Sequence, residues 1–288
     1  MFKDDPMMGK LYVGNIEVAA VREQLWTISP RWLFANAGYA VMAAHRDWLV
    51  PRFNTDDLKL KLSIHTFIVR VNGLTILIDT CVGNCKQRSL DTWTNMNTPY
   101  LERLAAAGVT PESVDLVFCT HLHMDHVGWN TRLVNGKWVP TFANAKYLFH
   151  AEELEHWQAQ ADQRQVFDDS VAPVVDAGLA QLVAADHELT DGVRLTLTPG
   201  HTPGHCSVLL GEEGREGVIT GDMIHHPIQI AEPAVCSRVC SDVEQAMQTR
   251  RTRLAQWSRD DTLVLGTHFA APTAVRIEPH AEGYRIRA

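Results

Sequence analysis

Short apolar runs, some alternating with polar residues and some continuous, predict a chain dominated by β-strands with helices between them. Lys10-Leu11-Tyr12-Val13, a Gly14-Asn15 turn and Ile16-Glu17-Val18-Ala19 read as a hairpin that starts a sheet. The β-prone run Leu62–Val71 meets Asn72-Gly73, a type I′ turn signal, and returns as Leu74–Ile78. Strands are also expected at Val114–Cys119, Lys146–His150, Val193–Thr198, Cys206–Leu210, Gly217–Thr220, Thr262–Leu265 and Tyr284–Ile286. Thr98-Pro99 predicts a helix with proline at its first position, lined by Leu101, Leu104 and Ala105 and stopped by Gly108. A polar helix is expected over Glu152–Gln165. Ser241-Asp242-Val243-Glu244 reads as a capping box before Val243, Ala246, Met247, Arg250, Leu254 and Trp257 at helical spacing. Arg250, Arg251 and Arg253 read as a solvated face of that helix. No linker, low-complexity run or short repeat interrupts the pattern. One domain over 1–288 is therefore expected, its two halves each running from strands to helices as in a pseudo-duplicated α/β sandwich.

Residues 1–60 add an aromatic-rich extension, with Trp26, Trp32, Phe34, Tyr39, Trp48 and Phe53 interrupted by Pro30 and Pro51. They fit core and edge packing, a wall over a substrate pocket, or a homodimer contact.

Composition narrows the class. A chain of 288 residues buries a large core, and its formal charge of −8 comes without any Lys/Arg block. Neither nucleic acid nor an anionic membrane is indicated as a partner. Asp4 and Asp5 stand where a signal peptide needs basic then apolar residues, and no apolar stretch reaches the roughly 18 residues of a membrane span. A cytoplasmic location is expected. Cys81, Cys85, Cys119, Cys206, Cys236 and Cys240 lack C-x₂-C spacing and read as reduced, packed thiols.

The chemistry concentrates where strands end. His121-Leu122-His123-Met124-Asp125-His126 follows the predicted strand Val114–Cys119. Three imidazoles and a carboxylate within six residues suit a borderline divalent ion such as zinc. Thr198-Pro199-Gly200-His201-Thr202-Pro203-Gly204-His205 places two more histidines in a rigid turn, so either His201 or His205 is a ligand candidate. Gly221-Asp222 and Gly266-Thr267-His268 supply a carboxylate and another imidazole after further strands. Asp79, at the end of Leu74–Ile78, is a candidate partner for a metal-bound histidine or a loop cap. His150 and His156 lack a ligand-like context and read as ordinary surface or capping residues. No G-x-S-x-G elbow points to a serine nucleophile.

In this order and combination, from about Leu62 to Tyr284, these motifs resemble the metallo-β-lactamase superfamily. The resemblance implies a four-layer αβ/βα sandwich with a two-metal site at one edge. It implies that His121, His123 and His201 hold a first ion, that Asp125, His126 and His268 hold a second, and that Asp222 bridges them. His205 is then left to a supporting role. Two divalent ions, Zn or else Mn, Fe or Co, would supply a bridging hydroxide near neutral pH, oriented by Asp125 and Asp222.

Within the superfamily, zinc β-lactamases differ at the position of Asp222, and glyoxalase II enzymes add a C-terminal helical region that the roughly twenty residues after His268 do not provide. Flavo-diiron proteins carry Glu where this chain has His123. Asp79-Thr80-Cys81-Val82-Gly83-Asn84-Cys85-Lys86 is similar to acyl-homoserine lactone lactonases, although Gly is usual at the position of Cys81. The stretches Gly221-Asp222 to Arg250, Gly266 to Phe269 and Gly283-Tyr284 are similar to methyl parathion hydrolase. Some lactonases place a carbonyl-binding Tyr where this chain has His225, followed by His226; a histidine there could donate a hydrogen bond or shuttle a proton. The implied function is metal-dependent hydrolysis of a small lactone or ester, with Asp125, Asp222 and His225 as catalytic residues. Phosphotriester hydrolysis is the alternative, and a non-catalytic metal-binding regulator the reading of another class.

Overall fold

The computed structural model describes residues 7–161, 164–212 and 216–287. The acidic start over residues 1–5 lies outside them. The chain divides into two compact units, one of residues 1–24 and 64–184, the other of residues 25–63 and 185–288.

Seven strands form a sheet in the order β1-β2-β3-β4-β5-β8-β9: β1 (Met7–Val13), β2 (Ile16–Ile28), β3 (Leu60–Val71), β4 (Leu74–Ile78), β5 (Leu116–Phe118), β8 (Lys146–His150) and β9 (Ala180–Val183). Between β5 and β8 the chain makes a separate ribbon of β6 (Thr131–Val134) and β7 (Lys137–Pro140). The β3–β4 hairpin turns at Asn72-Gly73 with φ of 53° and 78°, the left-handed pair that a type I′ turn needs. β4, β5, β8 and β9 then run parallel to one another. β3 is buried along almost its whole length, Ser63, His65 and Thr66 included.

The second sheet follows chain order: β10 (Glu188–Thr190), β11 (Val193–Leu197), β12 (Cys206–Leu210), β13 (Gly217–Ile219), β14 (Leu263–Leu265), β15 (Ala274–His280) and β16 (Gly283–Arg287). Its one parallel pair is β13–β14, with the 17-residue helix Val243–Arg259 in the connection between them. Val218, Leu254, Trp257, Val264 and Phe269 join in one buried cluster, so the helix packs by its apolar stripe.

Several expectations are corrected. The long helix is capped by Asp242, whose side chain accepts from the Gln245 amide, rather than by Ser241. Arg250 is not solvated: it is fully buried and donates to the carbonyls of Met223, Pro233 and Val235. Its guanidinium satisfies backbone oxygens that irregular loops leave unpaired, a role that helical periodicity does not reveal. Pro99 is the residue before the helix Tyr100–Ala106, not its first. The polar helix is two, Ala151–Ala159 and Arg164–Ser170. His150 is buried.

The aromatic extension contributes mainly to core. Phe34 and Phe53 lie in a buried cluster with Ile28, Leu33, Met42 and Leu49, and Trp26 and Trp48 pack against it. Trp32 stays 44% exposed. All six cysteines are free thiols.

Candidate metal centre

In the first unit, the chain after β5 turns sharply, and its backbone is fixed before any ligand is considered. The Thr80 amide donates to the His126 carbonyl (2.7 Å), Gly128 to Cys81 (2.7 Å) and Trp129 to Thr80 (2.8 Å). These bonds zip the loop after β4 to the loop after β5. The approach is so close that a Cβ at Gly128 would lie 1.8 Å from the Val82 carbonyl oxygen. Gly128→Ala is therefore expected to cost roughly 1–3 kcal/mol or more through overpacking against rigid backbone. Thermal melts with metal analysis check this; an unchanged melt and metal content would show that the loop yields easily.

Within this loop His121 Nε2 and His123 Nδ1 converge to 2.8 Å. His126 Nε2 lies 3.7 Å from Asp125 Oδ1. Asp79, buried and with φ of 59°, accepts from the Thr120 amide (2.8 Å), the Thr120 hydroxyl (3.0 Å) and His126 Nδ1 (2.9 Å). Its role behind a histidine agrees with the sequence reading. The Thr120 hydroxyl, already donating to Asp79, faces His121 Nδ1 at 3.1 Å and so accepts from it.

Glu153 was not singled out in the sequence. Its buried carboxylate accepts from the Leu122 amide (3.1 Å) and from Trp157 (2.5 Å), whose ring lies edge-on to His123. The only trace of this is Glu and Trp at i and i+4 in a helix read as polar. Glu23 likewise anchors the Val82 amide, Trp129 and Thr98, and burial raises its pKa.

The second unit gathers three imidazoles around one carboxylate. Asp222 Oδ2 lies 3.3 Å from His201 Nε2 and 3.2 Å from His225 Nε2, while Oδ1 lies 3.0 Å from His268 Nε2. His205 acts on the backbone: its Nε2 accepts from the Asp222 amide (2.9 Å), and its Nδ1 donates to the Thr198 carbonyl (3.0 Å). It is thus a neutral clamp between the two loops, which accounts for the second histidine of its turn. His201 Nδ1 faces the Cys240 thiol at 3.6 Å, a contact with no sequence signal, and burial pushes that thiol's pKa up to about 12. His225 is buried, with Nε2 facing the Asp222 carboxylate and Nδ1 without a hydrogen-bond partner among the described residues. His226 turns away to the Phe53 carbonyl, and burial pushes its pKa down to about 4. It supports the core.

The donor chemistry tests whether these residues suit a metal. His268 Nδ1 lies 3.1 Å from the Ser63 carbonyl, which can only accept, so that nitrogen carries the proton. In its neutral form His268 would present an Nε2 lone pair to a carboxylate oxygen at 3.0 Å, a contact that a cation between them, or a second proton on the ring, makes favourable. With His126 held through Nδ1 by Asp79, the first unit likewise sets an imidazole Nε2 beside a carboxylate. Imidazole and carboxylate donors backed in this way fit a borderline divalent ion.

Comparison with known proteins agrees with the fold and with this chemistry. The family model described as metallo-beta-lactamase superfamily matches residues 61–268. An N-acyl homoserine lactonase of a Bacillus species is 30% identical over 110 residues, which are 38% of this chain and 38% of the relative. The match therefore spans well under half of that enzyme. A probable metallo-hydrolase of Bacillus subtilis is 26% identical over 60% of this chain and 70% of its own. Among solved structures, the hydrolase AbOPH of the beta-lactamase superfamily superposes with a TM-score of 0.79 at 23% identity, covering 96% of this chain and 95% of its own. AidC, a dizinc quorum-quenching lactonase in complex with its product, gives 0.80 at 18% identity over 99% and 98%. Both structures share the fold.

Proposed function

The chain belongs to the metallo-β-lactamase superfamily, and from that premise we propose that it is a dinuclear metal-dependent hydrolase that opens a lactone or cleaves a small ester. In this reading His121, His123 and His201 would hold one divalent ion, Asp125, His126 and His268 would hold the other, and Asp222 would serve both. The observation that carries it is the convergence of the His201, His225 and His268 Nε2 atoms to within 3.0–3.3 Å of the Asp222 carboxylate. Zinc suits the donor set, as do Mn, Fe and Co. When bound, such a pair supplies a lowered pKa for attacking water and Lewis acidity toward the substrate's oxygen.

The protein's own groups do the rest. Asp125 and Asp222 orient the attacking water by accepting its hydrogen bonds. His225 stands beside the Asp222 carboxylate, and its Nδ1 has no hydrogen-bond partner among the described residues. Burying such a group costs on the order of 1–3 kcal/mol, which a substrate hydrogen bond would recover. We assign it to the carbonyl oxygen or the leaving oxygen. His205 fixes the Asp222 backbone, and Asp79 fixes the His126 ring. The lactonase relatives support the substrate class, and a cytoplasmic location remains part of the proposal.

The test is a panel of acyl-homoserine lactones, simple esters and an aryl phosphotriester, run on metal-replete protein. Lactone kcat/KM well above the others is the expected result. Preference for the phosphotriester would favour the second activity. Absence of turnover on all three, with two ions bound, would sink the enzymatic reading.

A further inference from the structure

Among the described residues of the second unit, the large apolar side chains left exposed are Leu25, Trp32, Val239 and Val243. Three of them fall on two short segments that the backbone ties together. The Arg238 amide donates to the Leu33 carbonyl (2.8 Å), the Ala35 amide donates to the Cys236 carbonyl (2.9 Å), and Phe34 bridges Ser237 in antiparallel sense. Trp32 and Val239 therefore stand at the same end of this ladder, each 44% exposed, and Val243, 40% exposed, opens the long helix just beyond. The Trp26 ring meets Trp32 edge-on with centroids 5.0 Å apart, so the exposed indole has a firm backing. A backed tryptophan beside two valines is costly to leave in water, and tryptophan is among the residues that most often anchor a protein interface.

Charge indicates what covers this face. Arg31 and Arg238 lie at the Trp32–Val239 end, where Arg238 Nε donates to the Arg31 carbonyl (3.1 Å), and Asp242 and Glu244 flank Val243. All four side chains are exposed. Arg238 reaches only a carbonyl and Asp242 caps its own helix; among the described residues none of the four forms an ion pair. A strip that is basic at one end and acidic at the other complements itself under a two-fold rotation, because each basic end then meets the acidic end of its copy. We propose that Trp32, Val239 and Val243 form the face through which two copies of this chain associate as a two-fold dimer, with Arg31 and Arg238 of each copy opposite Asp242 and Glu244 of the other. The same segment holds the His201 turn, since the Ser241 and Asp242 amides donate to the His201 and Gly200 carbonyls at 2.9 Å. Association would brace that turn, and it requires nothing of the reaction proposed above.

Sedimentation velocity of the full chain over a concentration series tests this. A species of twice the chain mass that dissociates on dilution is the expected result. Trp32→Glu and Val239→Glu should each weaken association at least about thirtyfold, the scale of losing an interface anchor, with the melting temperature of the dilute, monomeric protein unchanged. Glu244→Arg should weaken it about tenfold by setting like charges opposite one another. Adding Arg238→Glu to that variant should restore the dimer, because reversing both ends keeps the face complementary to itself. Val239→Glu and the charge pair decide the matter even if Trp32→Glu does not fold. A chain that stays monomeric throughout the series would overturn the proposal. So would a dimer left intact by Val239→Glu, or a double variant that associates no better than Glu244→Arg alone.

Discussion

Asp222→Asn is expected to yield a folded protein that no longer holds its full metal complement and loses at least about 10²-fold in turnover, the size of effect seen when one preorganised electrostatic contact is removed. The reasoning starts from the bare protein. Three Nε2 atoms, those of His201, His225 and His268, lie 3.0–3.3 Å from this carboxylate. A neutral His268 would offer a lone pair toward it, because its Nδ1 proton goes to the Ser63 carbonyl. With neutral rings and no cation the arrangement is repulsive. With Asn, the amide can donate to one of these nitrogens and the repulsion falls.

Two opposite changes should follow. The metal-free variant should melt no lower than the metal-free parent, while the rise in melting temperature on adding Zn²⁺ should shrink. Stabilisation by a bound ligand follows RT ln(1 + [L]/Kd), so at fixed Zn²⁺ each tenfold loss of affinity removes about 1.4 kcal/mol. Differential scanning calorimetry with and without metal, joined to metal analysis, separates these effects. If the variant bound two ions and gained as much stability from zinc as the parent, Asp222 would not be a bridge.

The ease of reading the fold and the site from sequence followed from how local each signal was. The β3–β4 hairpin was legible because Asn72 and Gly73 supply the two left-handed residues its turn requires. The ligand candidates were legible because imidazoles and carboxylates clustered after strands, and the structure does place His121, His123, Asp125 and His126 on one turn, with His201 and His268 around Asp222. Which of His201 and His205 is the better ligand candidate could not be read from the residues alone, since both stand in one turn. Only tertiary contact distinguishes them: His205 spends both nitrogens on backbone groups, while His201 turns one toward the Asp222 carboxylate. Arg250, Glu153 and Cys240 were missed or misread for the same reason. Each acts across the fold, on backbone or a ring far away in sequence, and a charged residue in a helix reads as solvated until its partners are known. Helix limits failed where local capping chemistry competes, as with Ser241 against Asp242.

The largest effect on stability is expected at a cluster that no motif announced. Lys86, at the end of the lactonase-like loop, is fully buried, with Nζ donating to Thr131 Oγ1 (2.8 Å) and the Asp169 carbonyl (2.9 Å) and lying 3.8 Å over the Trp138 ring. Arg88 grips the Asp169 carboxylate with two nitrogens, at 2.7 and 3.0 Å, and Lys86 reaches the same carboxylate at 3.2 Å. One buried anion thus serves two buried cations. Asp169→Asn keeps the shape and removes the anion, and is expected to cost about 3–5 kcal/mol, the range for stripping one partner from a buried ion pair. Lys86→Met leaves the Arg88–Asp169 pair intact and deletes the surplus charge, so it should be near neutral or stabilising at pH 6. The pH dependence carries the signature. Burial pushes the Lys86 pKa down from 10.5 to about 7, against the attraction of Asp169. Between about pH 7 and 10.5 the unfolded chain therefore binds the proton that the folded chain has released. Stability from this group accordingly rises with pH across that window and is flat below it. Urea denaturation of parent and Lys86→Met at pH 6, 7.5 and 9, at matched metal concentration, isolates the effect as a difference. The parent should gain on the variant as pH rises. A constant difference across the series would mean that Lys86 keeps an ordinary lysine's proton in the fold, and that Asp169 neutralises both cations at once.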